Sequence, residues 1–420
     1  MTNPRFFYAL GLWLLLPYIF FHLLWRARKQ PEYLQHIAER FGFYSIRSDK
    51  PVIWLHSVSV GETRAAVSLV QRLRETYPEH QLLLTHTTPT GRAASEQLYG
   101  NDVLRVYLPY DYPFAVRRFL NHFRPCIGIL LETEIWFSLI HASAAKQTPL
   151  LLLNARLSEK SAQGYGRVAR LTRHALGELT AIAAQTTDDA ARLTALGASN
   201  VSIMGNLKFD IEPPPVMLEL GRQLRSRFGA EREIFLAAST REGEEALLLD
   251  ALGQTDIPHL LTVIVPRHPQ RFDDVAALLT QHGIRFQRRS EERPVAPETQ
   301  VVLGDSMGEL FAYYTACDLA FIGGSLLPFG GQNLIEACAV GKPVIVGPHT
   351  YNFAQASQLA VAGGAAIRVQ DTRELVLMLQ DLLANPGQMA KIGAAGLRFV
   401  NANRGATEHA LNQISRFMNK

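Results

Sequence analysis

The sequence predicts an α/β protein built from two doubly wound domains. Three observations carry this. Short apolar runs of β type alternate with helix-like stretches, the pattern of a parallel sheet covered on both faces. A proline-rich break, Glu212-Pro213-Pro214-Pro215, interrupts that rhythm, which then restarts. A chain of 420 residues with 47% hydrophobic and 19% charged residues is too long for one ordinary core and too apolar for disorder.

The elements follow in order. Residues 1–25 contain FFYALGLWLLLPYIFFHLLW (Phe6 to Trp25), an uncharged run that as a helix matches the roughly 30 Å hydrocarbon thickness of a bilayer. Pro17 and His22 weaken it, and a buried core helix is its plain alternative. A cleaved leader would carry a shorter apolar core and a small-residue cleavage site. Here bulky residues run straight into Arg26, Arg28 and Lys29, so the reading is an uncleaved anchor, spanning or deeply interfacial. The basic flank places the body on the cytoplasmic side, against anionic lipids. Residues 26–50 form that basic juxtamembrane segment. Across residues 1–50 seven basic side chains face three acidic ones, a net of +4 equal to that of the whole chain, so the rest is neutral. A nucleic-acid binder would spread its basic charge over the body, and that class is set aside.

Residues 51–211 hold seven expected strands: VIWLHSV, QLLLTHT, LRVYLPY, CIGILLE, PLLLLNA, AIAAQT and VSIMGN. Residues 212–216 are the linker. Residues 217–400 hold six more: EIFLAAS, LLTVIVP, VVLGD, LAFIGGS, KPVIVGP and AAIRVQ. A helical segment, 401–420, ends the chain, after turns at Asn385-Pro386-Gly387 and Asn403-Arg404-Gly405. Doubly wound domains place ligands past the carboxyl ends of their strands, so the polar residues there are the candidates.

HSVSVGET (56–63) follows the first strand, with Gly61 giving a turn and Glu62 opening a helix. Glu62 is either a helix-dipole partner or a general base. LLETEIW brings Glu132 and Glu134, of which strand alternation turns at most one toward the ligand side. Asn154, Arg156 and Ser158 follow the fifth strand, and Lys208 lies near the linker; these are candidate anion contacts or solvated loop groups. In the second half, Pro266 and Arg267 end a strand in IVPRHP, suited to a phosphate or planar base. GDSMGEL starts a helix at Met307-Gly308-Glu309, capped by Asp305 or Ser306. GGSLLPFGGQNLIE, with glycines at 323, 324, 330 and 331, leads into a helix near Asn333, an arrangement that can hold a phosphate on backbone N–H groups. Glu336 stands one turn in, placed to accept from ribose hydroxyls.

No P-loop and no G-x-G-x-x-G after the first strand is present, which counts against an ATPase and an NAD dehydrogenase. There is no D-x-D, and the thirteen histidines include no H-x-H or H-x-x-x-H pair, so no metal is expected. Cys126, Cys317 and Cys338 sit in apolar runs and read as reduced, buried thiols.

HSVSVGET, YLPYD, ETEIW, NARLSEKS, GNLKFD, PRHPQRF, MGEL and GGSLLPFGGQNLIE, in this order, resemble the 3-deoxy-D-manno-octulosonic acid (Kdo) transferases of lipopolysaccharide and lipid A assembly. The resemblance runs from the N-terminal run to about residue 355. It implies a GT-B fold, two Rossmann-like domains facing an interdomain cleft, with an N-terminal membrane-anchor helix. It also implies cytidine monophosphate-Kdo (CMP-Kdo) as donor and a lipid A precursor (lipid IVA) in the inner membrane as acceptor. Carried over by motif, Glu62 is the proton acceptor, and Pro266, Arg267, Met307, Gly308, Glu309, Asn333, Leu334, Ile335 and Glu336 form the nucleotide site, with no cofactor and no metal. Phe137 stands where the family carries a proline after E-T-E-L-W. A lipid-linked N-acetylglucosaminyltransferase with a uridine donor, a sugar-nucleotide 2-epimerase and a two-domain sugar-binding protein share parts of this pattern.

Overall fold

The computed structural model describes residues 4–28, 30–254 and 257–418. Lys29, named above in the basic flank, lies outside them. The chain divides into two compact units: residues 1–210 with 403–420, and residues 211–402.

The first unit holds seven strands, β1 (Val52–His56), β2 (Gln81–His86), β3 (Leu104–Tyr107), β4 (Ile127–Leu131), β5 (Leu150–Ala155), β6 (Ala181–Ala184) and β7 (Val201–Ile203). The second holds β8 (Glu233–Thr240), β9 (Leu260–Pro266), β10 (Phe286–Arg288), β11 (Val301–Leu303), β12 (Leu319–Ile322), β13 (Val344–Val346) and β14 (Ala366–Arg368). Each expected strand is present; most are shortened at the carboxyl end where the polar motif begins, while β5 and β9 end where expected and β8 runs one residue further, to Thr240. The strand missed is β10, whose three residues Phe-Gln-Arg carry too little apolar pattern to register.

Both sheets are parallel throughout, in the orders β3-β2-β1-β4-β5-β6-β7 and β10-β11-β9-β8-β12-β13-β14. The order reverses direction between β1 and β4 in the first and between β8 and β12 in the second. Loops leaving those neighbours part to opposite sides and open a crevice there.

The strands show why both faces are covered. In β1, Val52 and Trp54 enter one apolar cluster while Ile53 and Leu55 enter another on the opposite face. Trp54 is fully buried with its indole N–H satisfied by Thr85 Oγ1 at 2.8 Å. Across the sheet only glycine fits at position 128, since a Cβ there would stand 2.6 Å from the Trp54 ring. The second face is completed by Ala406, Ala410, Leu411 and Ile414 of the last helix (Ala406–Met418), so the terminal helical segment is part of the first unit.

The N-terminal helix runs unbroken from Pro4 to Ala27 through Pro17, long and apolar enough to cross a membrane by length and composition. Phe6, Phe7, Leu14, Tyr18 and Phe21 are exposed on it. Its first half is fastened to the unit: Tyr8 donates to Asp111 Oδ2 at 2.9 Å and the Tyr112 hydroxyl donates to the Leu12 carbonyl at 2.7 Å. Burial pushes the Asp111 carboxyl up to about 6, held back by the N–H groups of Ser138 and Leu139 and by the Tyr8 hydroxyl. Not all of the N-terminal basic charge faces outward. Arg40 is buried, its guanidinium 4.1 Å from the centre of the Tyr107 ring and donating to the Thr87 carbonyl.

Candidate active site

In the first unit the groups past β1, β4 and β5 converge. The β1 loop turns at Ser59, not at Gly61, which lies inside the short helix Val60–Ala65. Ser59 caps that helix by accepting from the Glu62 N–H, and the Glu62 carboxylate answers by accepting from the Val58 N–H at 2.8 Å and the Ser59 hydroxyl at 2.8 Å. This is a reciprocal cap, the modest role foreseen for a glutamate there. The surroundings add more. Glu62 is buried to 9% exposure. Burial first, then the Glu132 charge and more weakly Glu134, push its carboxyl up to about 7 against the lowering by Val58 and Ser59.

Both acidic neighbours act on Glu62 through their charge, where strand alternation alone would turn at most one toward the ligand side. The alternation ends at Leu131, and Glu132 adopts left-handed backbone, φ +60°, which redirects the chain. Lys208 Nζ lies 3.6 Å from Glu132 Oε1, and Glu134 Oε2 accepts from the Trp136 indole at 2.5 Å and stands 3.8 Å from His56 Nε2. Asn154 serves the architecture: its Oδ1 accepts from the Leu207 N–H, fixing the turn that presents Lys208. Ser158 caps the helix Glu159–Gly166, and Arg156 is exposed, its carbonyl taken by Thr133. Gly91 closes the floor of the same region, where a Cβ would meet the Val58 carbonyl at 3.0 Å.

In the second unit Pro266 ends β9, buried, and the Arg267 guanidinium donates through Nε to Gln332 Oε1 at 3.1 Å, joining the loop past β9 to the glycine loop past β12. Met307 and Gly308 are exposed in the loop past β11, with Gly308 at φ +82°. Glu309 is gripped by the Ser306 hydroxyl at 2.7 Å and by Arg289 at 3.2 Å. Neither Asp305 nor Ser306 caps the helix Leu310–Ala316, because Asp305 holds Ser290 and Ser306 holds Glu309. Asn333 accepts from the Ile335 N–H and donates to Glu336 Oε1 at 3.0 Å, so the helix begins at Ile335, two residues later than expected, and is only five residues long. Leu334 and Ile335 bury their side chains completely and contribute packing.

The glycine loop departs most from its sequence reading. Gly324 and Leu326 donate their N–H groups to the buried Glu244 carboxylate at 2.5 and 3.0 Å, and Gly331 and Gln332 donate back to the carbonyls of Gly324 and Gly323. These donors are committed within the fold, so a phosphate would meet other groups. Gly323 is required by close approach, as its Cβ would stand 2.5 Å from the Ser239 carbonyl. Sequence reasoning passed over Arg241, Glu244 and Gln332. The first two lie in Ser239-Thr240-Arg241-Glu242-Gly243-Glu244, a polar run past a strand at the reversal point, the very signal used elsewhere.

Folding also assembles a group that local spacing could not reveal: His141, His174 and Glu178, whose ligand atoms lie within 4.8 Å of one another.

Comparison with known proteins matches residues 35–211 to the 3-deoxy-D-manno-octulosonic-acid transferase (kdotransferase) family and residues 282–399 to glycosyl transferases group 1. The chain is 42% identical to a 3-deoxy-D-manno-octulosonic acid transferase of Bordetella pertussis, covering 97% of this chain and 98% of the relative. It is 37% identical to that of Haemophilus influenzae, covering 99% of each. Among solved structures, it is similar to a glycosyltransferase of Rickettsia africae (TM-score 0.59, 14% identity, 88% of this chain and 99% of that one). A UDP-GlcNAc 2-epimerase of Neisseria meningitidis bound to UDP-GlcNAc is also similar (TM-score 0.60, 15% identity, 87% of this chain and 100% of that one). At such identities the last two likenesses speak for the GT-B fold alone.

Proposed function

The chain belongs to the 3-deoxy-D-manno-octulosonic acid (Kdo) transferase family, and from that premise we propose that it transfers Kdo from CMP-Kdo to a hydroxyl of a lipid A precursor, with Glu62 as general base. The observation that carries this reading is the Glu62 carboxyl, lifted to about 7 by burial and by Glu132 while two hydrogen bonds fix its orientation. A base is most effective when its proton affinity lies near the working pH. Each carboxylate oxygen uses one lone pair in the cap and keeps another for the acceptor proton.

In the reaction, the acceptor oxygen bonds to the anomeric carbon of Kdo as Glu62 removes its proton. The bond from that carbon to the phosphate oxygen breaks, and cytidine monophosphate leaves with the electron pair. Arg267 supplies positive charge to the phosphate, Glu336 accepts from ribose hydroxyls, and residues 307–309 with Asn333 and Glu336, held in place by the packing of Leu334 and Ile335, shape the cytidine pocket. Stabilisation of the leaving group by fixed donors serves without a metal ion. The absence of any D-x-D in the sequence supports that metal-free reading.

The helix Pro4–Ala27 holds the enzyme on the cytoplasmic face of the inner membrane, where the acceptor resides. Arg26 and Arg28, with Lys29 beside them, strengthen the attachment at about 1 kcal/mol per cation near an anionic surface.

The test is incubation of the purified chain with CMP-Kdo and tetraacyl lipid A precursor, reading product masses. A mass increase of one or more Kdo units, formed about 10² to 10⁴ times more slowly by Glu62→Gln, supports the reading. Turnover with a uridine-linked sugar in place of CMP-Kdo, or full activity in Glu62→Gln, overturns it.

A further inference from the structure

His141 lies on the helix Phe137–Ala145, and His174 and Glu178 lie one helical turn apart on the helix Ala169–Glu178. The two helices pack together, so His141 Nδ1 stands 2.8 Å and His174 Nε2 3.2 Å from the same oxygen, Glu178 Oε1. A tetrahedral ion with bonds of about 2.0–2.1 Å spaces its ligand atoms about 3.3 Å apart. With the ligand atoms of all three side chains within 4.8 Å of one another, two imidazoles and one carboxylate can close to a three-ligand face with a fourth position open. His174 and Glu178 line a surface cavity of about 640 Å³, which gives an ion an entry path. We propose that His141, His174 and Glu178 form a binding site for a borderline transition ion, Zn²⁺ by preference. The helices that carry it hold none of the residues assigned to the transfer chemistry.

The donor set decides which ion is taken, because the positive charges around it oppose every divalent ion alike. Arg5 of the N-terminal helix pairs with Glu178 at 3.5 Å and touches His174 Nε2. Arg170 and Arg173 line the same cavity, the stem of Arg173 packing against Gly197. A hard ion such as Mg²⁺ or Ca²⁺ would find one carboxylate in a positive field and two nitrogen donors it does not favour. A transition ion gains two strong bonds to imidazole nitrogen, which that field does not cancel. Arg5 and the ion claim the same carboxylate oxygen. The ion therefore binds in competition with Arg5, and its arrival releases one fastening of the first helical turn.

The test is Zn²⁺ binding to the tag-free, full-length chain in detergent, by competition with a chromogenic chelator, together with the visible spectrum of the Co²⁺ form. The expected result is one ion per chain, at least tenfold weaker in His141→Ala, His174→Ala and Glu178→Gln, and tighter in Arg5→Gln. The Co²⁺ form should show the intense absorption of a low-coordinate site. Unchanged affinity in any ligand variant or in Arg5→Gln overturns the assignment, as does a weak, six-coordinate Co²⁺ spectrum. Arg5→Gln makes the test independent of folding, because a merely destabilised chain does not gain affinity.

Discussion

The two units treat charge in opposite ways. In the first, Lys208 is the cation beside Glu132, and burial, reinforced by the charges of Glu132 and more weakly Glu134, lifts the Glu62 carboxyl to about 7. In the second, the groups of the proposed nucleotide site are tied down pair by pair: Arg267 to Gln332, Glu309 to Arg289 and Ser306, Glu336 to Asn333, and Glu244 to backbone N–H groups. The difference matches two tasks. A proton acceptor needs an unbalanced field that makes its charge reluctant, whereas a binding frame needs fixed side chains whose ordering is already complete before the ligand arrives.

The strongest way to break this contrast is Glu62→Gln. Turnover should fall by about 10² to 10⁴, the usual worth of a positioned base, while calorimetry shows cytidine monophosphate bound as before. Near-normal turnover would move the base to Glu132 or Glu134.

Next in size is the second unit. Arg267→Ala and Glu336→Ala should each weaken cytidine monophosphate binding by about 1.5–3 kcal/mol, the value of a charged hydrogen bond. Calorimetry giving unchanged affinity for both would take the nucleotide elsewhere.

A finer test separates burial from charge as the cause of the Glu62 shift. Glu132→Gln removes the second cause and leaves the first, so the acid limb of the pH–rate profile should move to lower pH by up to about one unit. An unmoved limb would assign the shift to burial alone. The same group carries a stability signature. Its folded value of about 7 lies above the ordinary 4.5, so the folded protein binds the extra proton and this residue lowers stability as pH rises between those values. Glu62→Gln should therefore unfold at a higher temperature than the parent at pH 8, with the two chains alike near pH 4; a variant that is no more stable at pH 8 contradicts the shift.

The smallest expected effect is none at all: excess chelator should leave the transfer rate unchanged, even if it strips an ion from His141, His174 and Glu178. A loss restored by Mg²⁺ would show that Arg267 and its neighbours do not suffice for the leaving group.

How much of this was legible beforehand differed by element. Strands announced themselves because burial on both faces demands continuous apolar runs such as LLLL in β5, while β10, at a sheet edge, carries only Phe-Gln-Arg. Glu62 was legible from its place past a strand; its raised proton affinity comes first from burial and then from Glu132, which is redirected by a backbone conformation that no spacing rule contains. The glycine loop looked like a phosphate cradle because its composition is the same whether the N–H groups face a ligand or, as here, Glu244. His141 and His174, distant in sequence, meet only through helix packing.

The closing helix has a consequence for how the protein is made. Ala406, Ala410, Leu411 and Ile414 cover one face of the first sheet, and Asp210 receives the N–H groups of Gly405 and Thr407. Residues 211–402 are thus an insertion within the first unit, and that unit's last packing layer is made only after the whole second unit. Domains ordinarily fold in order of synthesis. Here the second unit can finish while the first still waits with an apolar face open, so a chain stopped at residue 402 should be caught by chaperones or aggregate although all seven strands of its first sheet have been made.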